Sequence, residues 1–212
     1  MAPKINWHKA VNIAIEKYGL RTEPSLQNAF LRAHVSYPPK EITFLAFKKE
    51  KKMELWAKQD NQWRWIKNYK LTAFSGALGP KLKEHDKQIP EGIYNLTMLN
   101  PFSKFHLSIQ IDYPNSFDRS IARLERRRHL GGNIFLHGKN VSVGCLAVGD
   151  RAIDQIFLIV NRVGLENSTL IIAPNDMRVA PAATHLIGKP KWVTLLYKKI
   201  KVALQPFRHA KA

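Results

Sequence analysis

With one cysteine in 212 residues the chain cannot form an intramolecular disulfide, so a packed core must supply its stability. A chain of this length can bury such a core unaided. Acidic residues are scarce: 16 against 34 Lys and Arg, for a net charge of +18. That field disfavours basic partners and favours polyanions, among them nucleic acid, an anionic membrane face or the acidic bacterial wall. No apolar run is long enough to cross a bilayer. The opening "MAPKINWHKAVNIAIEKYG" lacks the uninterrupted apolar core of a signal peptide. The expectation is therefore either a cytosolic protein or one whose leader is not in this sequence. Repeats, low-complexity tracts and long linkers are missing, which excludes solenoids and disordered tails. A lone cysteine also leaves no zinc-type spacing, and neither a metal nor a cofactor is expected.

What is present is ordinary globular composition, 45% hydrophobic and 24% charged. Residues 7–18 read as a helix stopped by Gly19, and 25–34 as a second one ending before Pro38-Pro39. "EITFLAFKK", "KKMELWAKQ" and "QWRWIKNYK" are short, partly alternating aromatic segments that suit a β-meander, which "KLTAFSG" continues. "LGPKLKEHDKQIPEG" is a polar loop, and "IYNLTML" and "FHLSIQI" are two more strands. "SFDRSIARLERRRH" predicts a helix capped by Ser116 and ended by Gly131-Gly132. "NIFL" is a short strand stopping at His137. "DRAIDQIFLIVNRVG" is an amphipathic helix with Asp150 as cap, "STLIIA" a strand, and "PKWVTLLYKKIKVALQPF" a closing helix. The predicted fold class is β-rich α+β, a mixed β core with peripheral helices.

Chemistry concentrates in "NIFLHGKNVSVGCLAVGD", which holds Cys145. A lone thiol is either buried and inert or kept for its reactivity. Thiol nucleophiles need a lowered pKa, a nearby base or cation, and oxyanion donors. His137 closes a strand eight positions upstream, and the Gly138-containing turn can return the chain to bring imidazole and sulfur together. Gly144 permits close approach of a carbonyl, and the N–H groups of Gly144 and Cys145 are candidate oxyanion donors.

This stretch resembles the active-site motif of L,D-transpeptidase catalytic domains of the YkuD-type fold. The resemblance rests on His137-Gly138 and Ser142-Val143-Gly144-Cys145. "IPEGIY" at 89–94 resembles that family's strand entry, and "FHLSIQIDYPNSFDR" at 105–119 resembles its subgroup with short His-to-Cys spacing. The similarity covers residues 41–178 and implies a YkuD-type β core, a sandwich or half-open barrel. Residues 1–40 and 179–212 are then helical N- and C-terminal extensions. Two departures stand out: Val143 where many members have histidine, and Ala147 where many have arginine.

The resemblance implies a peptidoglycan stem peptide as substrate. Cys145 is the expected nucleophile and His137 its base, with Gly144 in the oxyanion hole. Ser142 orients His137 or the substrate, or is a plain turn residue. Attack on the L-centre carbonyl of diaminopimelate gives a thioester, which an amine or water resolves. The outcomes are cross-linking, trimming of a terminal D-alanine, or release of a wall-linked lipoprotein. His106, Tyr113, Asn115 and Gly138 are expected at the substrate pocket. In the cluster Arg119, Arg123, Arg126, Arg127 and Arg128, the first two share a helix face and are expected to meet substrate carboxylates. The expected location is the periplasm or envelope, with the signal segment removed, and the expected state a monomer without nucleic acid. The rival reading is a non-catalytic basic module for wall polymer or nucleic acid. It rests on the net charge and the runs Lys48-Lys49, Lys51-Lys52 and Lys198-Lys199; no known nucleic-acid motif accompanies them.

Overall fold

A computed structural model describes residues 6–182 and 189–209. Residues 1–5 of the expected N-terminal extension, and 183–188 and 210–212 of the C-terminal one, lie outside the described residues. The chain is built on one curled eight-stranded sheet in the order β3-β2-β1-β8-β4-β5-β6-β7. The strands are β1 (Ile42–Phe47), β2 (Lys52–Gln59), β3 (Gln62–Lys70), β4 (Gly92–Asn100), β5 (Ser108–Ile111), β6 (Phe135–His137), β7 (Leu146–Ala147) and β8 (Ser168–Ala173). The helices are α1 (Trp7–Arg32), α2 (Ser116–Leu124), α3 (Asp150–Val163) and α4 (Trp192–Leu204). The pairs β1–β8 and β6–β7 are parallel and the others antiparallel.

Burial explains the strand sequences. All six residues of β1 are buried because both of its faces are covered. Phe44 and Ala46 join the core under α1 and α3, while Leu45 and Phe47 join a second core under α4. Strands covered on both faces lose their alternation, as "ITFLAF" does. β4 keeps it: Tyr94 and Leu96 are buried, while Ile93, Asn95 and Thr97 on either side of them are exposed.

Several local expectations change. The two N-terminal helices are one, α1, running through Gly19 and Pro24. Gly19 does not stop it. A Cβ there would lie 3.4 Å from Leu158 Cδ1, so the glycine is the point where α1 packs against α3. "KLTAFSG" contributes one bridge, Ala73 to Ala147, rather than a strand. α2 is capped by Asn115, not Ser116, in a reciprocal capping box with Asp118. It ends at Leu124, well before Gly131-Gly132. Asp150 makes no cap on α3; its carboxylate accepts from Lys139 N at 2.7 Å and from Lys139 Nζ at 3.1 Å. It thereby pins the turn that follows His137.

Lys48, from one of the lysine runs, is not a solvated surface charge. It is buried, 3.0 Å from Glu91 Oε1, and donates to the carbonyls of Gly79 and Ile89. Glu54 is buried as well. Its carboxylate receives Trp56 Nε1 at 2.8 Å, Arg178 Nη2 at 3.0 Å and Lys52 Nζ at 2.8 Å. Burial alone would raise its pKa, but these donors, Arg178 first, outweigh it and hold the group at about 2. A carboxyl depressed in the folded state stabilises above its unfolded pKa and loses that contribution as pH falls through the folded value. Stability is therefore expected to decline between about pH 4.5 and 2, by up to about 3 kcal/mol from this group. Denaturant melts of wild type and Glu54→Gln across that range check this. The decline should be visibly shallower in the variant; parallel curves would refute it.

Candidate active site

β6 and β7 lie side by side with Leu136 beside Leu146 and His137 beside Ala147. One step further back, this register sets Cys145 beside Phe135. Cys145 itself lies just before β7, and its thiol meets Phe135 and the Asn133 carbonyl in the segment that leads to His137. The turn between them is locked. Gly138 has no room for a side chain: a Cβ would lie 2.7 Å from both Asp150 Oδ1 and Phe105 O. Gly138 thus serves the close packing of the turn, rather than presenting a surface to a ligand.

His137 is buried, and its ring lies against Phe105 at 4.7 Å between centroids. Its Nδ1 is 2.6 Å from the Gly138 carbonyl. A carbonyl only accepts, so Nδ1 carries the proton and donates it, leaving Nε2 as the basic nitrogen. Burial pushes the imidazole pKa down, with the Gly138 hydrogen bond opposing, so the ring is neutral at pH 7.

The Cys145 thiol is partly buried, and Sγ lies 4.0 Å from Asn133 O. No hydrogen bond joins it to His137 among the described residues. The lowered thiol pKa expected from the sequence does not appear. Burial pushes it up, against the smaller opposing effects of the contact with Phe135 and the charge of Lys81. Thiol and imidazole are therefore both uncharged at rest.

The oxyanion donors divide. The Gly144 N–H is already given to Ser75 Oγ at 2.7 Å, so only the Cys145 N–H stays a candidate of the pair. Ser142 reaches neither His137 nor open space: its hydroxyl donates to the Cys145 carbonyl at 2.6 Å, shaping the turn that carries the thiol. Gly144 itself takes φ +85°, a conformation that L side chains rarely adopt. Ala147 is fully buried in the wall of the site, whereas Val143 is exposed.

The loop at 75–91 lies over this strand end. Gln88 O is 3.4 Å from where a Gly144 Cβ would be. Asp86 organises the loop, accepting from Lys81 Nζ at 2.6 Å and from the N–H groups of Leu82, Lys83 and Gln88. From the sequence, 78–92 reads as a plain polar loop and Ser75 as part of the meander, so Ser75, Lys81 and Asp86 are missed. Nothing in its composition distinguishes it, since its role comes from where it folds.

The expected substrate-pocket residues scatter. His106 Nε2 is 2.6 Å from the buried Asp154 and its ring packs on Tyr18, behind Gly138. Asn115 caps α2 and donates to Ile93 O. Tyr113 is buried and donates to Leu130 O at 3.3 Å. Arg119 and Arg123 line a cleft of about 790 Å³ with Arg126, Arg127, Arg128 and Leu130. Cys145 is not in the wall of that cleft. Among the described residues no cluster of His, Cys, Asp or Glu is arranged to hold a metal. No described helix is long and apolar enough to cross a membrane.

The curled mixed sheet is a fold already known from solved proteins. It matches the crystal structure of the helical cell shape determining protein Pgp2 from Campylobacter jejuni, at 20% identity and a TM-score of 0.53 over 66% of this chain and 50% of that one. At the level of sequence the chain is 35% identical over 116 residues to "Putative L,D-transpeptidase YafK" of Escherichia coli K12, and equally to its counterpart in strain O157:H7. The structural likeness is one of fold, and the sequence likeness is to a protein named as a putative L,D-transpeptidase. The match takes in 54% of this chain and 45% of the curated relatives' length. No family model matches the chain.

Proposed function

We propose that the protein is a peptidoglycan-acting enzyme of the cell envelope, a cysteine acyltransferase or hydrolase on stem peptides. The observation that supports this is the pairing of β6 with β7, which brings the segment carrying Cys145 against the strand that ends in His137, whose Nε2 has no partner among the described residues. The 35% identity to a protein named as an L,D-transpeptidase supports the substrate class.

The pair starts neutral, so the nucleophile is made during attack. Sγ bonds to the L-centre carbonyl carbon of diaminopimelate as its proton passes to His137 Nε2. The carbonyl electrons move to oxygen, where the Cys145 N–H donates to the oxyanion; one such donor is typically worth about 3–4 kcal/mol. As the tetrahedral species collapses, the C–N bond breaks and His137 returns the proton to the leaving amine. A thioester remains. Water or an acceptor amine then attacks it, with His137 again taking the proton, and the thiol is released.

Which nucleophile finishes the reaction follows from what surrounds the thioester. Ala147 is buried and apolar and Val143 is exposed, so neither position offers a polar group to hold a charged acceptor. An acceptor must beat water at about 55 M, and that takes fixed geometry. Hydrolysis is therefore the expected main outcome. Incubation with a disaccharide tetrapeptide, with and without millimolar acceptor amine, followed by mass spectrometry, tests both levels. Trimmed peptide in both arms is expected. Dominant cross-linked dimer would replace hydrolase with transpeptidase, and unchanged substrate would remove the enzymatic reading.

A further inference from the structure

The turn after α2 concentrates positive charge. Arg123, Arg126 and Arg128 are exposed along the cleft, and their guanidinium groups have no hydrogen-bond or ion-pair partner among the described residues. The acid nearest in sequence, Glu125, is held by Arg127 at 2.6 Å. Like charges brought together on one wall repel, and none of the described residues relieves this.

The turn is also built rather than loose. Arg126 at φ +54° and His129 at φ +55° both take left-handed backbone, a conformation unfavourable for residues with side chains. Such conformations persist only where the surroundings impose them. Here the imposing contacts come from the loop at 75–91. Arg127 Nη1 donates to Leu82 O at 2.7 Å, and Glu84 N donates to His129 O at 2.8 Å. Arg127 also stacks on Trp192, 5.6 Å from the ring centre. One arginine is thus spent on fixing the turn, which leaves the other three facing outward.

The cleft lies within substrate reach of the thiol. Gly131 lines it, and Asn133, whose carbonyl faces Sγ, is two residues on, at most about 7.6 Å of chain. An extended tetrapeptide spans about 13 Å. The loop carrying Lys81 and Asp86 bridges the two places, touching Gly144 at one end and His129 at the other.

We infer that Arg123, Arg126 and Arg128 form an anion subsite that takes the free carboxylates of a peptide whose reacting carbonyl lies at Cys145. The inference rests on the stem-peptide reading above and names the part of the protein that selects for charge. Guanidinium groups suit carboxylates because their paired N–H donors match the two oxygens. A peptide is favoured over nucleic acid because Gly131 in the cleft wall is two residues from Asn133, whose carbonyl lies 4.0 Å from the thiol.

The test is equilibrium binding at about 150 mM salt, in a Cys145→Ala background so that nothing turns over. The probes are a disaccharide tetrapeptide with free carboxylates, the same compound with its carboxylates amidated, and a duplex DNA. Wild-type residues in the cleft should bind the free acid at least tenfold more tightly than the amide. Arg123→Ala/Arg126→Ala/Arg128→Ala should lose that preference. Lys49→Ala/Lys51→Ala/Lys198→Ala removes the same charge elsewhere on the exposed surface and should keep it. Equal binding of acid and amide overturns the subsite, as does an unaltered arginine triple variant. An equal loss in the lysine variant reduces it to net charge, and tighter binding of DNA than of peptide assigns the arginines to nucleic acid. Preference for the acid without any turnover by the Cys145 enzyme would keep the subsite and sink the enzymatic reading.

Discussion

Cys145→Ala is expected to abolish covalent turnover while leaving the fold in place. The substitution removes one sulfur atom, whose contacts are a long one, 4.0 Å to Asn133 O, and one with the Phe135 backbone. The turn around it is held by groups the substitution does not touch. Ser142 donates to the Cys145 carbonyl and the Gly144 N–H donates to Ser75. The melting temperature should move by no more than a few degrees. No other thiol exists in the chain to take over. Mass spectrometry of products from a disaccharide tetrapeptide reads the loss, and undiminished product from the alanine variant would end the proposed mechanism.

His137→Ala is expected to lower kcat/KM by about 10² to 10⁴. The size alone does not separate a base from a packing residue, because His137 is buried against Phe105. The pH profile does. Burial lowers the imidazole pKa, so the active neutral form is lost only as pH falls below the usual histidine range of about 6.5. Activity should rise through a limb below pH 6.5 in the wild type. At high pH, burial of the thiol delays its ionisation beyond that of a free cysteine. In His137→Ala the acid limb should vanish along with the rate. A variant that is slow but keeps the same limb would make His137 structural. With both groups uncharged at rest, Cys145 should alkylate slowly at pH 7 without substrate, even if it is the nucleophile.

Much of the architecture was legible because the signals were local. The period-two strands of "KKMELWAKQ" and "IYNLTML" and the one-faced helix "DRAIDQIFLIVNRVG" need nothing beyond their own residues to be read. Gly19 misled for a physical reason: glycine weakens a helix by roughly 1 kcal/mol, and a flat contact with Leu158 on α3 outweighs that. Ser116 and Asp150 were each plausible caps by residue type, yet Asn115 took the first role and the Lys139 turn took the carboxylate of the second. Sequence patterns do not resolve one-residue differences in where a chain turns.

The sequence by itself determined that this chain has a mixed β core with helices around it, one thiol, and a histidine and glycine at fixed intervals from that thiol. Those are properties of order along the chain. Tertiary structure decided the rest, because each remaining question depended on groups far apart in sequence. It placed β7 against β6, bringing Cys145 next to Phe135, two residues before His137. It gave the Gly144 N–H to Ser75, 69 positions away, and so left one oxyanion donor instead of two. It buried Lys48 against Glu91, turning an apparent surface charge into part of the core. It raised the thiol pKa where a motif alone suggests lowering, because desolvation depends on what covers a group and not on its neighbours in the chain.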